Sequence, residues 1–252
     1  MKKFRFSPSA LSLMNDCPRC FWLEKNKGVK RPRGIFPSLP GGMDLVIKTY
    51  LDTYREKNIM PPEITDILPG KLFPDTKTLN KWRSWRLTDL VYHDPDNGSV
   101  LSGALDDCLV DNDIYIPLDY KTRGSALIDD PAKYYQIQLD AYTLMLESKG
   151  FKTNNTAYLL YFWPELVKEN GMIRFAVTPY KINTNSNTTK QLIKTAVDCL
   201  NNNMPAASPR CEYCGFVNQR KDQPQPVKTS PAPPSKSPDK KYDEENGQYY
   251  FF

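Results

Sequence analysis

The sequence predicts a mixed α/β fold, with a central sheet of about four strands flanked by helices. Three observations lead there. Helix and strand periodicities follow one another in the order helices, hairpin, helix, two strands, helix. Apolar patterning continues to about residue 216 and then stops. The chain of 252 residues is long enough for one substantial core with an appendage.

The elements are justified in turn. In "SPSALSLMND" Ser7 is placed to cap a helix, Pro8 suits its first turn, and Leu11 and Met14 share a face. Residues 41–57 form an amphipathic helix with Met43, Ile47, Tyr50 and Tyr54 on one side, and Asp44, Lys48 and Leu51 on an adjacent stripe. Residues 58–98 mix Pro-rich loops with a short helix around Trp82 and Trp85. A strand is expected over 100–110, with Gly103 marking a bend, and a second over 113–121. Asp111, Asn112 and Asp113 supply turn chemistry between them, which predicts an antiparallel hairpin. A helix over 130–150 is capped by Asp130, opened by Pro131 and ended by Gly150. Strands over 156–163 and 172–180 and a helix over 187–202 complete a domain assigned to residues 1–216.

Residues 217–252 are rich in Pro, Lys and Ser and bury too little apolar surface to offset ordering entropy, so they are expected to be disordered. Four aromatics end this tail, after Asp243, Glu244 and Glu245, a composition that suits docking on a protein partner.

The net charge is +5, too small for a nucleic-acid coat. It is unevenly spread: residues 1–34 carry +7 and the remainder −2. A basic end of this kind either faces phosphate or is a solvated surface. No apolar run approaches the roughly 20 residues of a membrane span. The first residues lack the long apolar stretch of a signal peptide, so a cytoplasmic location and no membrane partner are expected. Six cysteines include two pairs, Cys17/Cys20 and Cys211/Cys214. Without an export signal, such pairs point to metal before disulfides.

Strand alternation puts Asp119 and Lys121 on one face of residues 113–121, opposite Ile114, Ile116, Leu118 and Tyr120. On the preceding strand Asp106 shares a face with Ala104 and Cys108, while Asp107 points away. Across the hairpin an aspartate lies beside Asp119, and two adjacent carboxylates repel unless a proton or cation intervenes. Oxygen-only ligands suit Mg²⁺ or Mn²⁺. An adjoining lysine then serves metal-assisted phosphodiester hydrolysis. Gln138 and Tyr142 stand four apart on one face of the following helix.

The run "GALDD", "PLDYK", "QIQLDAY" resembles the motif order of the PD-(D/E)XK nuclease superfamily, in its RecB-like exonuclease branch, related to CRISPR-associated iron–sulfur nucleases. The resemblance covers roughly residues 5–216 and implies a restriction-endonuclease-like core. It implies metal ligation by Asp106 and Asp119, a catalytic Lys121, and substrate positioning by Gln138 and Tyr142. The family's upstream helix carries His or Glu where this chain has Asp44, which becomes a third candidate ligand. "SPSALSLMNDCPRC" and "CEYC" resemble the cysteine segments of the iron–sulfur subset. That subset uses one N-terminal and three C-terminal cysteines; here position 220 is Arg, and Cys20 is available instead. Cys17, Cys20, Cys211 and Cys214 are therefore expected to hold either Zn²⁺ or an iron–sulfur cluster.

The expected function is a Mg²⁺- or Mn²⁺-dependent deoxyribonuclease of DNA repair, recombination or defence, acting on single strands or duplex ends. The alternative is a non-catalytic nucleic-acid-binding or scaffold protein on the same fold.

Overall fold

The computed structural model of the chain describes residues 3–32, 34, 38–127, 130, 132–221, 240–243 and 248–251. It divides into two units, Met1–Cys214 and Gly215–Phe252. The first begins β1 (Arg5–Phe6), α1 (Pro8–Asp16), α2 (Pro18–Lys27), α3 (Ser38–Glu56), β2 (Lys71–Leu72), α4 (Thr76–Trp82), β3 (Val91–His93) and β4 (Val100–Ser102). It continues β5 (Asp107–Asp111), β6 (Ile114–Thr122), α5 (Ala132–Ser148), β7 (Thr156–Val167), β8 (Ile173–Asn183), α6 (Ser186–Asn201) and the start of α7 (Glu212–Lys221).

The main sheet has the order β2-β5-β6-β7-β8, so the expected four strands gain a two-residue edge strand. It is mixed: β6 and β7 run parallel and the other pairs antiparallel. Asn112 and Asp113 both take positive φ, 46° and 65°, the conformation that closes the two-residue turn between β5 and β6. A parallel pair needs a crossover, which α5 supplies. Three short strands, β1-β4-β3, form a second sheet.

Both faces of the main sheet are covered. Ile116, Leu118 and Tyr120 of β6 pack with Ile47 and Leu51 of α3. Cys108, Leu159 and Tyr161 pack on the other face with Leu139, Tyr142 and Met145 of α5 and Leu11 and Met14 of α1. The caps behave as expected: Ser7 Oγ accepts from Ala10 N at 3.2 Å and Asp130 Oδ1 from Ala132 N at 2.9 Å.

Three expectations change. Residues 100–110 are not one strand but β4 and β5, in different sheets. The break contains Gly103, where a Cβ would stand 3.0 Å from Pro8 Cδ and 3.2 Å from Met145 Cε. This glycine permits α1 and α5 to close over the bend. Pro18 opens an additional helix, α2, ended by Gly28 at φ +69°. The short helix α4 stops at Trp82, so the buried Trp82 is helical and the exposed Trp85 is not.

Beyond Cys214, α7 continues to Lys221, past the boundary placed at 217. β9 (Lys240–Asp243) pairs antiparallel with β10 (Gln248–Phe251), a segment whose aromatics favour strand within the tail expected to be disordered. Glu244, Glu245 and Phe252 of that tail, the helix opener Pro131, and Lys2 and Arg33 of the basic end lie outside the described residues. Among the described residues no helix is long and apolar enough to cross a membrane.

Candidate active site and cysteine centre

The site forms where the β5–β6 hairpin meets α3 and α5. Strand β6 delivers Asp119 and Lys121 toward α5, as alternation requires. The ladder pairs Asp107 with Leu118, and carrying that register one residue further sets Asp106 opposite Asp119. Asp106 precedes β5, and its Oδ2 accepts from the backbone N–H of Tyr120 at 3.1 Å. Arg83 Nε holds the Asp106 carbonyl at 2.8 Å and so fixes the chain at this point.

Asp119 is 1% exposed. Its Oδ1 accepts from Gln138 Nε2 at 3.0 Å, and its Oδ2 pairs with the Lys121 ammonium. That second oxygen is buried without a well-aligned hydrogen bond. Gln138 Nε2 also donates to the hydroxyl of Tyr142 at 2.7 Å, and its Oε1 lies 3.5 Å from Lys121 Nζ. Sequence analysis gave Gln138 and Tyr142 to the substrate; here their hydrogen bonds hold Asp119 and each other. The third candidate ligand, Asp44, is reached only through Lys48. The Lys48 ammonium stands 2.8 Å from Asp44 Oδ2 and 2.9 Å from Asp106 Oδ1.

Burial pushes the Asp119 carboxyl up to about 7; Lys121 opposes the shift and Asp106 adds to it. Burial alone would lower both lysines. The charges and hydrogen bonds of Asp106 and Asp44 on Lys48, and of Asp119 with the charge of Asp106 on Lys121, together outweigh it and raise both. The result is a half-buried cluster of three carboxylates bound by two ammonium groups.

Asp107, next in the chain to Asp106, faces the other side of the sheet. Its carboxylate is fully buried and pairs with Arg55, with Arg83 Nη2 at 3.3 Å, and with the Tyr120 hydroxyl. Asp107 Oδ1 also accepts from Cys108 N at 2.8 Å. Sequence reasoning missed Lys48, Arg55 and Arg83. The spacing of Asp44 and Lys48, one helical turn apart, carries a signal for the first. Arg55 stands three residues after its helix partner Asp52, a weaker signal of the same kind. Arg83 carries none, because its partners Asp52 and Asp107 arrive from distant segments.

The carboxylates fit a hard divalent cation by donor chemistry: Asp106 and Asp119 offer oxygen alone, and Asp119 Oδ2 is a buried oxygen with unmet capacity. Among the described residues, however, only the cysteines bring three or more ligand atoms within 4.8 Å of one another. Asp44 does not close with Asp106 and Asp119 to that span.

The cysteine centre ties the start of α2 to the start of α7. Sγ–Sγ separations are 3.9 Å for Cys17–Cys214, 3.6 Å for Cys20–Cys211 and 3.6 Å for Cys20–Cys214. All four sulfurs are free of disulfides. Burial raises Cys20 and Cys214. It acts the same way on Cys17, but the backbone N–H groups of Cys20 and Ser208 outweigh it and push Cys17 down to about 6. With all four ligand atoms within 4.8 Å of one another, these thiols could hold a thiolate-binding metal. The other two cysteines stand apart: Cys108 is buried in the core and Cys199 is half-buried.

A search of curated proteins finds no match for this chain. The family model of the PD-(D/E)XK nuclease superfamily matches residues 51–219, two thirds of the sequence. The match takes in the hairpin, α5 and the second cysteine pair, and begins after Asp44 and Lys48. With the mixed sheet, the hairpin carboxylates and the lysine two residues after Asp119 already in place on a restriction-endonuclease-like core, this chain belongs to the PD-(D/E)XK nuclease superfamily.

Proposed function

We propose that the chain is a divalent-metal-dependent nuclease hydrolysing phosphodiester bonds of DNA, in the RecB-like branch and in a reducing, cytoplasmic setting. The observation that carries this reading is the juxtaposition of Asp106, Asp119, Lys121 and Gln138, with one buried Asp119 oxygen lacking an aligned donor. Asp106 and Asp119 would hold Mg²⁺ or Mn²⁺, which supplies an acidified water and neutralises charge on the phosphate. Lys121, kept in place by Asp119 and Gln138, presents its ammonium to the charge that develops on phosphate oxygen. Gln138 and Tyr142 position Asp119. Labelled single-stranded and duplex DNA incubated with and without Mn²⁺ tests the reading. Mn²⁺-dependent cleavage by the wild type, lost in Asp119→Ala, is expected; equal cleavage by both proteins rejects the assignment.

Lys48 favours a second reading, a non-catalytic nucleic-acid-binding protein, because its ammonium already supplies positive charge between Asp44 and Asp106. Such a protein binds DNA equally with and without Mn²⁺ and never cleaves it.

For the cysteine centre we favour a single Zn²⁺. Four thiolates at about 2.3 Å from one tetrahedral ion lie about 3.8 Å apart, close to the separations between these sulfurs. A 4Fe–4S cluster seats each thiolate on a different iron and a 2Fe–2S cluster seats two on each of its irons, and both spread the four sulfurs further than one ion does. Elemental analysis should return about one zinc per chain; iron with visible absorption overturns this choice. The aromatic tail remains a candidate for docking on a protein partner, testable by deleting residues 242–252 and comparing what the two proteins retain in a pull-down.

A further inference from the structure

A groove of about 890 Å³ opens beside the acidic cluster, between the start of α1, the turn after α4, the bend at Gly103 and the first turns of α5. Its inner end includes Gln138 and Tyr142, so it is one hydrogen bond from Asp119. Arg5, Lys25 and Arg86 line it, and none of its lining residues is a carboxylate. Of its five aromatics, Trp85, Tyr134 and Tyr135 lie away from the inner end, beside cations.

These rings are unusually placed. Trp85 is 73% exposed and Tyr134 66%, although large aromatics normally bury their faces. Trp82, three residues earlier, is wholly buried in the core. Each exposed ring has a cation on it: the Arg86 guanidinium lies 4.8 Å from the Trp85 ring and the Lys133 ammonium 4.8 Å from that of Tyr134. The Lys121 ammonium lies 4.5 Å from the third ring, Tyr135. The series therefore leads from solvent to the lysine of the acidic cluster.

We propose that this groove holds one unpaired strand of nucleic acid, with Trp85 and Tyr134 stacking on its bases and Arg5, Lys25 and Arg86 neutralising its phosphates, and feeds that strand to the Asp106–Asp119 site. The proposal rests on the nuclease reading above and adds the class of substrate. A flat exposed ring with an adjoining cation matches a nucleotide, which has a π-face on one side and a negative charge close by. A duplex offers the charge but hides its base faces within the stack, so the rings select an unpaired strand.

The test is binding by the full chain without added Mg²⁺ or Mn²⁺, followed by fluorescence anisotropy of labelled oligo-thymidine, oligo-uridine and a duplex. Trp85→Ala with Tyr134→Ala should weaken single-strand binding about ten-fold or more, the loss expected when stacking platforms are removed. Trp85→Phe keeps an aromatic face and should retain most of the affinity. Duplex binding should change little. The DNA and RNA arms show which sugar the groove prefers. Oligo-thymidine should also quench tryptophan emission in the wild type more than in Trp85→Phe. Both exposed side chains lie outside the core, and unchanged melting of the double variant confirms an intact fold. Unchanged single-strand affinity, or an equal loss on duplex, overturns the proposal. The two readings fail separately. A wild type that never cleaves in Mn²⁺, but whose single-strand binding needs Trp85, keeps the groove and loses the nuclease. Cleavage by the wild type, with single-strand affinity unaltered in the double variant, keeps the nuclease and loses the groove.

Discussion

Asp106 and Asp107 are neighbours in the chain with opposite surroundings. Asp107 is held by two guanidiniums, a phenol and a backbone N–H, and water does not reach it. Asp106 is partly exposed and its cation partner is Lys48, on a flexible stem. Arginine is permanently charged and presents a rigid fork of donors, whereas lysine is a movable point charge. The difference separates a carboxylate that builds the fold from one that is free to change partners. A doublet of identical residues at the start of a strand thus serves both faces of the sheet at once.

The largest effect should come from the side that builds. Asp107→Ala removes the fully buried one of the two carboxylates that Arg55 and Arg83 share, and leaves them the partly exposed Asp52 alone. Breaking a buried ion pair from one side costs about 3–5 kcal/mol, so denaturant unfolding should show a loss of that size, or no folded protein. An unfolding midpoint equal to the wild type would remove the distinction between the two faces.

On the other face, Lys121→Ala should lower cleavage roughly 10²–10³-fold while melting stays close to the wild type, as when one donor to developing charge is lost. Single-turnover rates and a thermal melt on the same sample check both halves. If the rate loss is matched by unfolding, the lysine belongs with Asp107 in the scaffold.

A smaller, pH-dependent effect sharpens the comparison. The folded pKa of Asp119 lies above its ordinary value, so the folded state binds the proton more tightly than the unfolded chain does. Its contribution to stability is full below about 4 and is lost as the pH rises through about 7. Metal-free wild type should therefore lose melting temperature across that window, and Asp119→Asn should flatten the profile. A profile equally steep in the variant means that another group carries the effect.

The smallest change is expected at Lys48. Its ammonium competes with any cation for Asp106, so Lys48→Met should lower the Mn²⁺ concentration for half-maximal binding by about five-fold, the ~1 kcal/mol of a partly exposed ion pair. Calorimetric titration measures this without reference to cleavage. Weaker Mn²⁺ binding in the variant would make Lys48 a support of the site instead of a competitor.

Much of this arrangement was legible in the sequence, for local reasons. Period-2 alternation was enough to place Asp119 and Lys121 together, and an i, i+4 spacing on α5 to bring Gln138 to Tyr142. Ser7 and Asp130 announced their helices because a cap bonds backbone only two or three residues away. What stayed hidden depends on contacts between distant segments. The strand expected over 100–110 is cut because Pro8 and Met145 close on Gly103, and neither is near it in the chain. Lys48 lay in view on its stripe, but its second partner arrives from the hairpin. Trp85 differs from Trp82 only in where α4 ends. The cysteine pairs were an exception, since two such spacings announce that the pairs meet, whatever the distance between them.

That distance sets a timetable for biosynthesis. Cys20 and Cys211 are 191 residues apart. At ribosomal rates of about 5–20 residues per second, the first pair waits roughly 10–40 s for the second. During that interval α1 and α2 exist with an unfinished thiol pair, open to oxidants and stray metals. The N-terminal strand β1 meets its partner β4 about halfway through, well before the clasp can close. A nascent chain stalled before Cys211 should therefore carry the sheet pairing without the full set of four thiols, and synthesis of the first turn of α7 is the moment at which that set is assembled.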